Sequence, residues 1–186
     1  MISRLAGRVW LLLPLLLVAL LGPITPSRAA PGDKLDASQD MAVSQILMGI
    51  LSYARWPADT LEPDTFRLCV VGTPAHAEYL GSHSTAVHGR RIVVHRKTAG
   101  ELPSTCNAVY NGTLDGAERE ALVRNVVGKP LLVVSEQTEN CSVATMFCLT
   151  ATDKRVTFEI NLDAIARSGI RVHPSVLKLA RTQGRP

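Results

Sequence analysis

The residues with most chemistry to offer are four cysteines, Cys69, Cys106, Cys141 and Cys148. No two of them form a C-x-x-C pair, so the chain carries neither the usual zinc ligand spacing nor a dithiol redox motif. An even number of cysteines in an exported chain points instead to two disulfides. Four cysteines allow three connectivities, and sequence alone does not choose among them. Closeness in sequence favours Cys141 with Cys148, which are seven apart, as the staple of a hairpin. That pairing leaves Cys69 and Cys106 to join two expected strands. In the chain-entropy account the long loop contributes about 4 kcal/mol and the short one about 2.5 kcal/mol, both as upper values.

The remaining reactive types are poorly placed for catalysis. Of the five histidines, His76, His83, His88, His95 and His173, the set His83, His88 and His95 matches no standard metal pattern, and two of the three fall in a polar loop, so they read as surface histidines. Ser135 follows a strand but lacks the glycines of a nucleophile elbow. Gly72-Thr73-Pro74 turns out of a strand with neither a Walker lysine nor the three-glycine dinucleotide fingerprint. Glu159 and Asp163 are close in sequence, but Glu159 faces outward on a hairpin strand. The chain is read as a non-enzyme that needs no cofactor and no metal.

Binding is the chemistry left. Leu162, Ile165, Ile170, Val172, Pro174 and Leu177 crowd into sixteen residues, with Arg167, Arg171 and His173 among them. Part of that set must pack the last helix onto the sheet. The rest makes an apolar patch rimmed by charge, the signature of a protein partner. Two other classes stand beside this one: a small-ligand module with Trp56 or Tyr110 as platform, and a thiol-redox protein.

These residues need a scaffold, and the sequence describes one. Phe66-Arg67-Leu68-Cys69-Val70-Val71-Gly72 is an apolar, β-branched run closed by glycine, a strand buried on both faces. Before it, Val43, Ile46, Leu47, Ile50, Leu51 and Ala54 recur at helical spacing and predict a helix from about Ala37 to Arg55, ended by Trp56-Pro57. Tyr53 and Trp56 fall on its last turn and read as core. After the strand a short helix is expected over Ala75–Leu80, then a polar loop over Gly81–Gly89. Further strands follow at Arg91–His95, Cys106–Tyr110 and Leu131–Val134. Asp115-Gly116-Ala117-Glu118 has capping-box spacing and starts a helix that runs to about Val127. Val143–Leu149 and Arg155–Asn161 make an antiparallel hairpin, with Val156, Phe158 and Ile160 alternating against polar residues. A short helix over Asp163–Ser168 closes at Gly169, and Pro174 opens the last one. The fold class is α/β: a single domain, a central mixed sheet flanked by helices, a C-terminal antiparallel hairpin and two disulfides.

The N-terminus gives the address. Arg4 and Arg8 precede an apolar run, Val9 to Leu21, that Pro23 and Pro26 break before Ser27-Arg28-Ala29. This pattern predicts a cleaved signal peptide over residues 1–29, a flexible leader over 30–36 and the domain over 37–182. The apolar run is shorter than the roughly 20 residues of a spanning helix. Three of the twenty basic residues and none of the sixteen acidic ones lie in that signal, so the mature net charge falls from +4 to +1. Such a balance gives no reason to expect nucleic acid as a partner.

In the order of its features the chain resembles the YfiR family. The resemblance is carried by Tyr53-Ala54-Arg55-Trp56-Pro57, by Phe66 to Gly72, by Cys106 opening a strand, and by Arg155-Val156-Thr157-Phe158-Glu159-Ile160-Asn161. Cys141 and Cys148 are not general to the family and resemble its pseudomonad members. The resemblance implies a homodimeric periplasmic repressor of an inner-membrane diguanylate cyclase (YfiN-like), whose periplasmic sensory domain it binds so that cyclic di-GMP synthesis falls and biofilm is restrained. It implies release under envelope or redox stress, when an outer-membrane, OmpA-like lipoprotein (YfiB-like) sequesters the repressor. It also implies the pairs Cys69–Cys106 and Cys141–Cys148. The partner-binding patch it implies falls on Glu159, Leu162, Ile165, Arg167, Val172, His173, Pro174 and Leu177.

Overall fold

A computed structural model describes residues 31–80, 86–102, 105–136, 143–152 and 155–182. The first helix, α1 (Pro31–Tyr53), begins at Pro31 and not at Ala37. The expected leader residues 31–36 are therefore part of the helix. It also ends earlier than expected, at Tyr53. Ala54–Arg55 is a two-residue strand, β1, antiparallel to β9 (Arg171–Val172).

Seven strands form the main sheet. They are β2 (Thr65–Val71), β3 (Ala86–Val87), β4 (Arg90–Arg96), β5 (Ala108–Asn111), β6 (Leu132–Glu136), β7 (Phe147–Thr152) and β8 (Arg155–Ile160), in the order β3-β4-β2-β5-β6-β7-β8. The five from β4 to β7 run parallel, and β3 and β8 are antiparallel to their neighbours at the two edges. Numbered along the chain, the parallel strands lie in the 2-1-3-4-5 arrangement of a doubly wound sheet, with its switch point between β2 and β5.

Alternation along the strands builds two cores. Phe66, Leu68 and Val70 of β2, with Tyr110, Leu132, Val134, Phe147 and Leu149, pack on the α1 stripe of Val43, Ile46, Leu47, Ile50 and Leu51. Cys69, Val71, Val109 and Val133 face the other way, onto Leu122 and Val126 of α2 (Gly116–Val126). The capping box is formed: Glu118 N–H donates to Asp115 Oδ1 at 2.8 Å, and the Glu118 carboxylate accepts from the Asp115 N–H at 3.3 Å. Cys69 and Cys106 are bridged, with Cα atoms 5.8 Å apart, inside this second core. The other expected bridge, Cys141–Cys148, rests on Cys141, which lies outside the described residues. One disulfide is described, not two.

The chain ends in α3 (Leu162–Ser168), capped by the Asn161 side chain and closed by Gly169 at φ 75°. Then come β9, a 3-10 turn (Pro174–Val176) and α4 (Leu177–Thr182). The helix expected over Ala75–Leu80 does not form, and those residues make turns. Two of its N–H groups are taken by a carboxylate sixty residues away: Ala75 donates to Glu136 Oε2 at 2.6 Å and His76 to Glu136 Oε1 at 2.7 Å.

Candidate functional site

The carboxyl end of the parallel strands is where doubly wound sheets bind ligands. Here it is filled by the chain itself. Thr73 and Thr113 form an isolated bridge across the switch point, with Thr73 N–H donating to Thr113 O at 3.2 Å. Backbone packs so closely that a Cβ on Gly112 would lie 2.1 Å from Pro74 N, and one on Gly72 would lie 2.4 Å from Thr113 O. Beside the bridge, the Glu136 carboxylate accepts from the Tyr110 hydroxyl as well as from Ala75 and His76 N–H. His76 Nδ1 lies 2.7 Å from Asp40 Oδ1, which ties the same loop to α1. Next to it, Ser135 Oγ donates to Asn111 Oδ1 at 2.7 Å and lies 2.8 Å from Thr145 Oγ1. Burial, and then the adjacent Glu136 carboxylate, pushes the Tyr110 hydroxyl far above the usual phenol range.

That arrangement corrects two expectations. Tyr110 is fully buried and cannot be a ligand platform. His88 is not a surface histidine. It is half-buried with Nε2 2.9 Å from Ala54 O, and Trp56 stands edge-on at 6.4 Å. Trp56 itself is half-buried, donating from Nε1 to Asn107 O at 3.1 Å and meeting Phe66 edge-on at 5.1 Å. With Arg55, Pro57, His88 and Arg90 it lines a recess of about 290 Å³. His95 and His173 are exposed, and His83 lies outside the described residues. No three His, Cys, Asp or Glu side chains converge as metal ligands among the described residues. The Cys69–Cys106 bridge is buried, out of reach of a small thiol.

A second region, on the β7–β8 side of the sheet, is more open. Where β7 begins and β8 ends, Thr145, Met146, Cys148, Glu159, Leu162 and Asp163 line a groove of about 550 Å³. Leu162 is 73% exposed, on the first turn of α3. On the other flank of α3, Arg167 joins Val127, Val143 and Ala144 around a shallow recess, with Val143 64% exposed. Arg167 is paired with Asp163 along the helix. Of the expected patch, Glu159 and Leu162 share the groove and Arg167 sits across the helix from them. Ile165 is half-buried against the α1 core. Val172 ends β9, and His173 follows it as the cap of the 3-10 turn, stacking on Tyr53 at 6.3 Å and donating its N–H to Tyr53 O at 3.0 Å. Pro174 and Leu177 follow on the 3-10 turn and α4, and Leu177 is 54% exposed. Val127 and Val143 were not singled out from sequence; they read as a helix end and a strand residue.

Among the described residues no helix is long and apolar enough to cross a membrane. A family model described as YfiR/HmsC-like matches residues 41–181. Among solved structures, YbdL from Escherichia coli, described as having a methionine aminotransferase function, is similar to 76% of this chain at 13% identity and a TM-score of 0.39. The match spans 43% of that structure's length.

Proposed function

This chain belongs to the YfiR/HmsC-like family, and from that premise we propose that it is an exported negative regulator acting by protein–protein contact. In this reading residues 1–29 are removed on export and the domain over 37–182 works in the periplasm. It docks on the periplasmic sensory domain of a membrane diguanylate cyclase and holds the cyclase in its inactive state. It represses only if it binds that state more tightly than the active one. An outer-membrane, OmpA-like lipoprotein competes for the repressor and releases the cyclase. The regulator is a homodimer, and Cys141–Cys148 is its second bridge.

The observation that carries this reading is the contrast between two regions of the sheet. The crevice where a substrate or nucleotide would sit is closed by the chain's own backbone and by Glu136. The β7–β8 side with α3 offers exposed Leu162 and Val143 bordered by Glu159, Asp163 and Arg167, an apolar surface with a charged rim. The docking surface is assigned to Glu159, Leu162, Ile165, Arg167, Val172, His173, Pro174 and Leu177.

The test is a titration of the mature protein against the periplasmic domain of a diguanylate cyclase from the same organism, followed by calorimetry. Saturable binding that weakens at least tenfold in Leu162→Asp, with Thr98→Asp on the far side of the molecule as control, is expected. Absence of heat and of co-elution at high micromolar concentration, with both proteins folded, would sink the repressor reading.

A further inference from the structure

The two edges of the main sheet are finished differently. At one edge β3 pairs with Arg90 and Arg91 of β4, and beyond that pairing His95 and Arg96 stand exposed. The arginines, Arg90, Arg91 and Arg96, repel a second strand that carries the same charges. At the other edge lies β8, six residues long. Asn161 N–H donates to Met146 O at 2.9 Å, one step beyond the Ile160–Phe147 pair. Hydrogen-bonded pairs alternate along an antiparallel ladder, so Arg155, Thr157 and Glu159 turn their backbone groups toward β7. Val156, Phe158 and Ile160 therefore turn theirs to the open side. Among the described residues those outward N–H and C=O groups take no hydrogen bond.

The order of side chains on this edge is self-complementary. Let a second β8 lie antiparallel to the first, with the two-fold axis through Thr157. Arg155 of each copy then stands opposite Glu159 of the other, twice. Val156 stands opposite Phe158, also twice, and Thr157 faces its own counterpart. Opposite charges, aromatic with β-branched, and threonine with threonine are the three favourable classes of cross-strand pair. The parity also fits: Val156 and Phe158, whose backbone groups are free, meet each other in hydrogen-bonding positions, which allows about four new backbone bonds. Arg155 and Glu159 are exposed and Thr157 is half-buried, so all three are available.

We propose that two copies of this chain associate through β8, joining their seven-stranded sheets edge to edge in the register Arg155–Glu159, Val156–Phe158, Thr157–Thr157. The occupant of the edge is a second copy because the pattern reads the same from both ends. This locates the homodimer of the preceding reading and rests on it. Strand addition by itself covers less surface than a permanent dimer needs, so the association is concentration-dependent.

The experiment has three arms on the mature protein, each variant first checked for an unchanged melting curve. Sedimentation of the wild type is expected to show a dimer whose fraction rises between about 1 and 100 µM, the range for a modest interface. The single variants Arg155→Glu and Glu159→Arg are expected to raise the dimer dissociation constant at least tenfold, and the double variant to restore it. Thr157→Cys is expected to form a covalent dimer under mild oxidation, because Cα atoms at a non-hydrogen-bonded pair lie about 4.5 Å apart, within disulfide reach. A wild type that stays monomeric at 100 µM overturns both the homodimer and its location. A wild-type dimer with no cross-link at Thr157→Cys, or with no rescue by the charge swap, overturns the β8 assignment alone.

Discussion

Two regions of the main sheet, the switch-point crevice and the β7–β8 side, differ in what they offer. At the carboxyl end of β2, β5 and β6, backbone meets backbone across Thr73–Thr113, and Glu136 gathers two N–H groups and the Tyr110 hydroxyl. At the amino end of β7 the chain leaves a groove and three exposed aliphatic side chains, Val127, Val143 and Leu162. The position that other doubly wound sheets use for a ligand has here become part of the structure. The β7–β8 side, with α3, has become the candidate interface. Substitutions should therefore separate cleanly: those in the closed crevice cost stability, and those along the open groove cost binding.

The largest cost falls on the switch point. Gly112→Ala puts a Cβ into Pro74 and Thr73 backbone at 2.1 to 2.4 Å, where no side chain can swing aside. The strands must separate, and we expect a loss of about 3 kcal/mol, the upper part of the range for overpacking, read by urea unfolding. A loss below about 1 kcal/mol would show that the crevice can open, and the comparison between the two regions would fail.

Glu136→Ala comes next. It strands the buried Tyr110 hydroxyl, and it frees the exposed Ala75 and half-buried His76 N–H groups. An expected loss of about 2 kcal/mol follows from one unsatisfied buried donor and the lost charge-assisted bonds. The 73–80 loop should also become the first site of limited proteolysis, since its tether is gone.

Tyr110 offers a subtler check through pH. Its hydroxyl ionises far above the usual range in the folded state, because of burial and the Glu136 carboxylate. A group with a raised native pKa stabilises the fold fully below its unfolded value, about 10 for tyrosine, and that contribution is lost as pH climbs beyond it. Above about pH 10, stability should therefore fall, and Tyr110→Phe should flatten that fall. In the wild type, one tyrosine's share of phenolate absorbance should appear only with cooperative unfolding. Its appearance in the folded protein would mean that water reaches the site.

How legible all this was in the sequence depends on how local its causes are. β2, β4, β6 and the hairpin announce themselves by apolar runs and alternation, and the α2 cap by Asp115 and Glu118, because each signal lies within one element. The β1–β9 ladder is two residues long and has no period to detect. The turns over Ala75–Leu80 are held from a distance, by Glu136 on the Ala75 and His76 N–H groups and by Asp40 on the His76 ring, contacts with no local signal in the sequence. The only hint of that carboxylate's role was polar pairs, Tyr110-Asn111 and Ser135-Glu136, at the ends of two apolar strands. The patch was partly legible. Leu162 and Arg167 are exposed on α3, whereas Ile165 and Val172 are partly buried against the α1 core. Crowding in sequence does not say which side of a helix is covered.

The smallest effect on stability is the most telling. Leu162 is 73% exposed and makes no part of either core, so Leu162→Asp should change the unfolding free energy by less than about 0.5 kcal/mol, as for other surface substitutions. A second carboxylate beside Asp163 in the first turn of α3 is also favourable to the helix N-terminus, which offsets what little packing is lost. If the groove is a docking surface, the same change buries a charge without a partner in the complex, and affinity should drop by at least tenfold. Equal melting curves with unequal binding would tie function to the open groove. Unequal melting curves would mean that Leu162 packs against something in the free protein, and the open groove would then be as structural as the closed crevice.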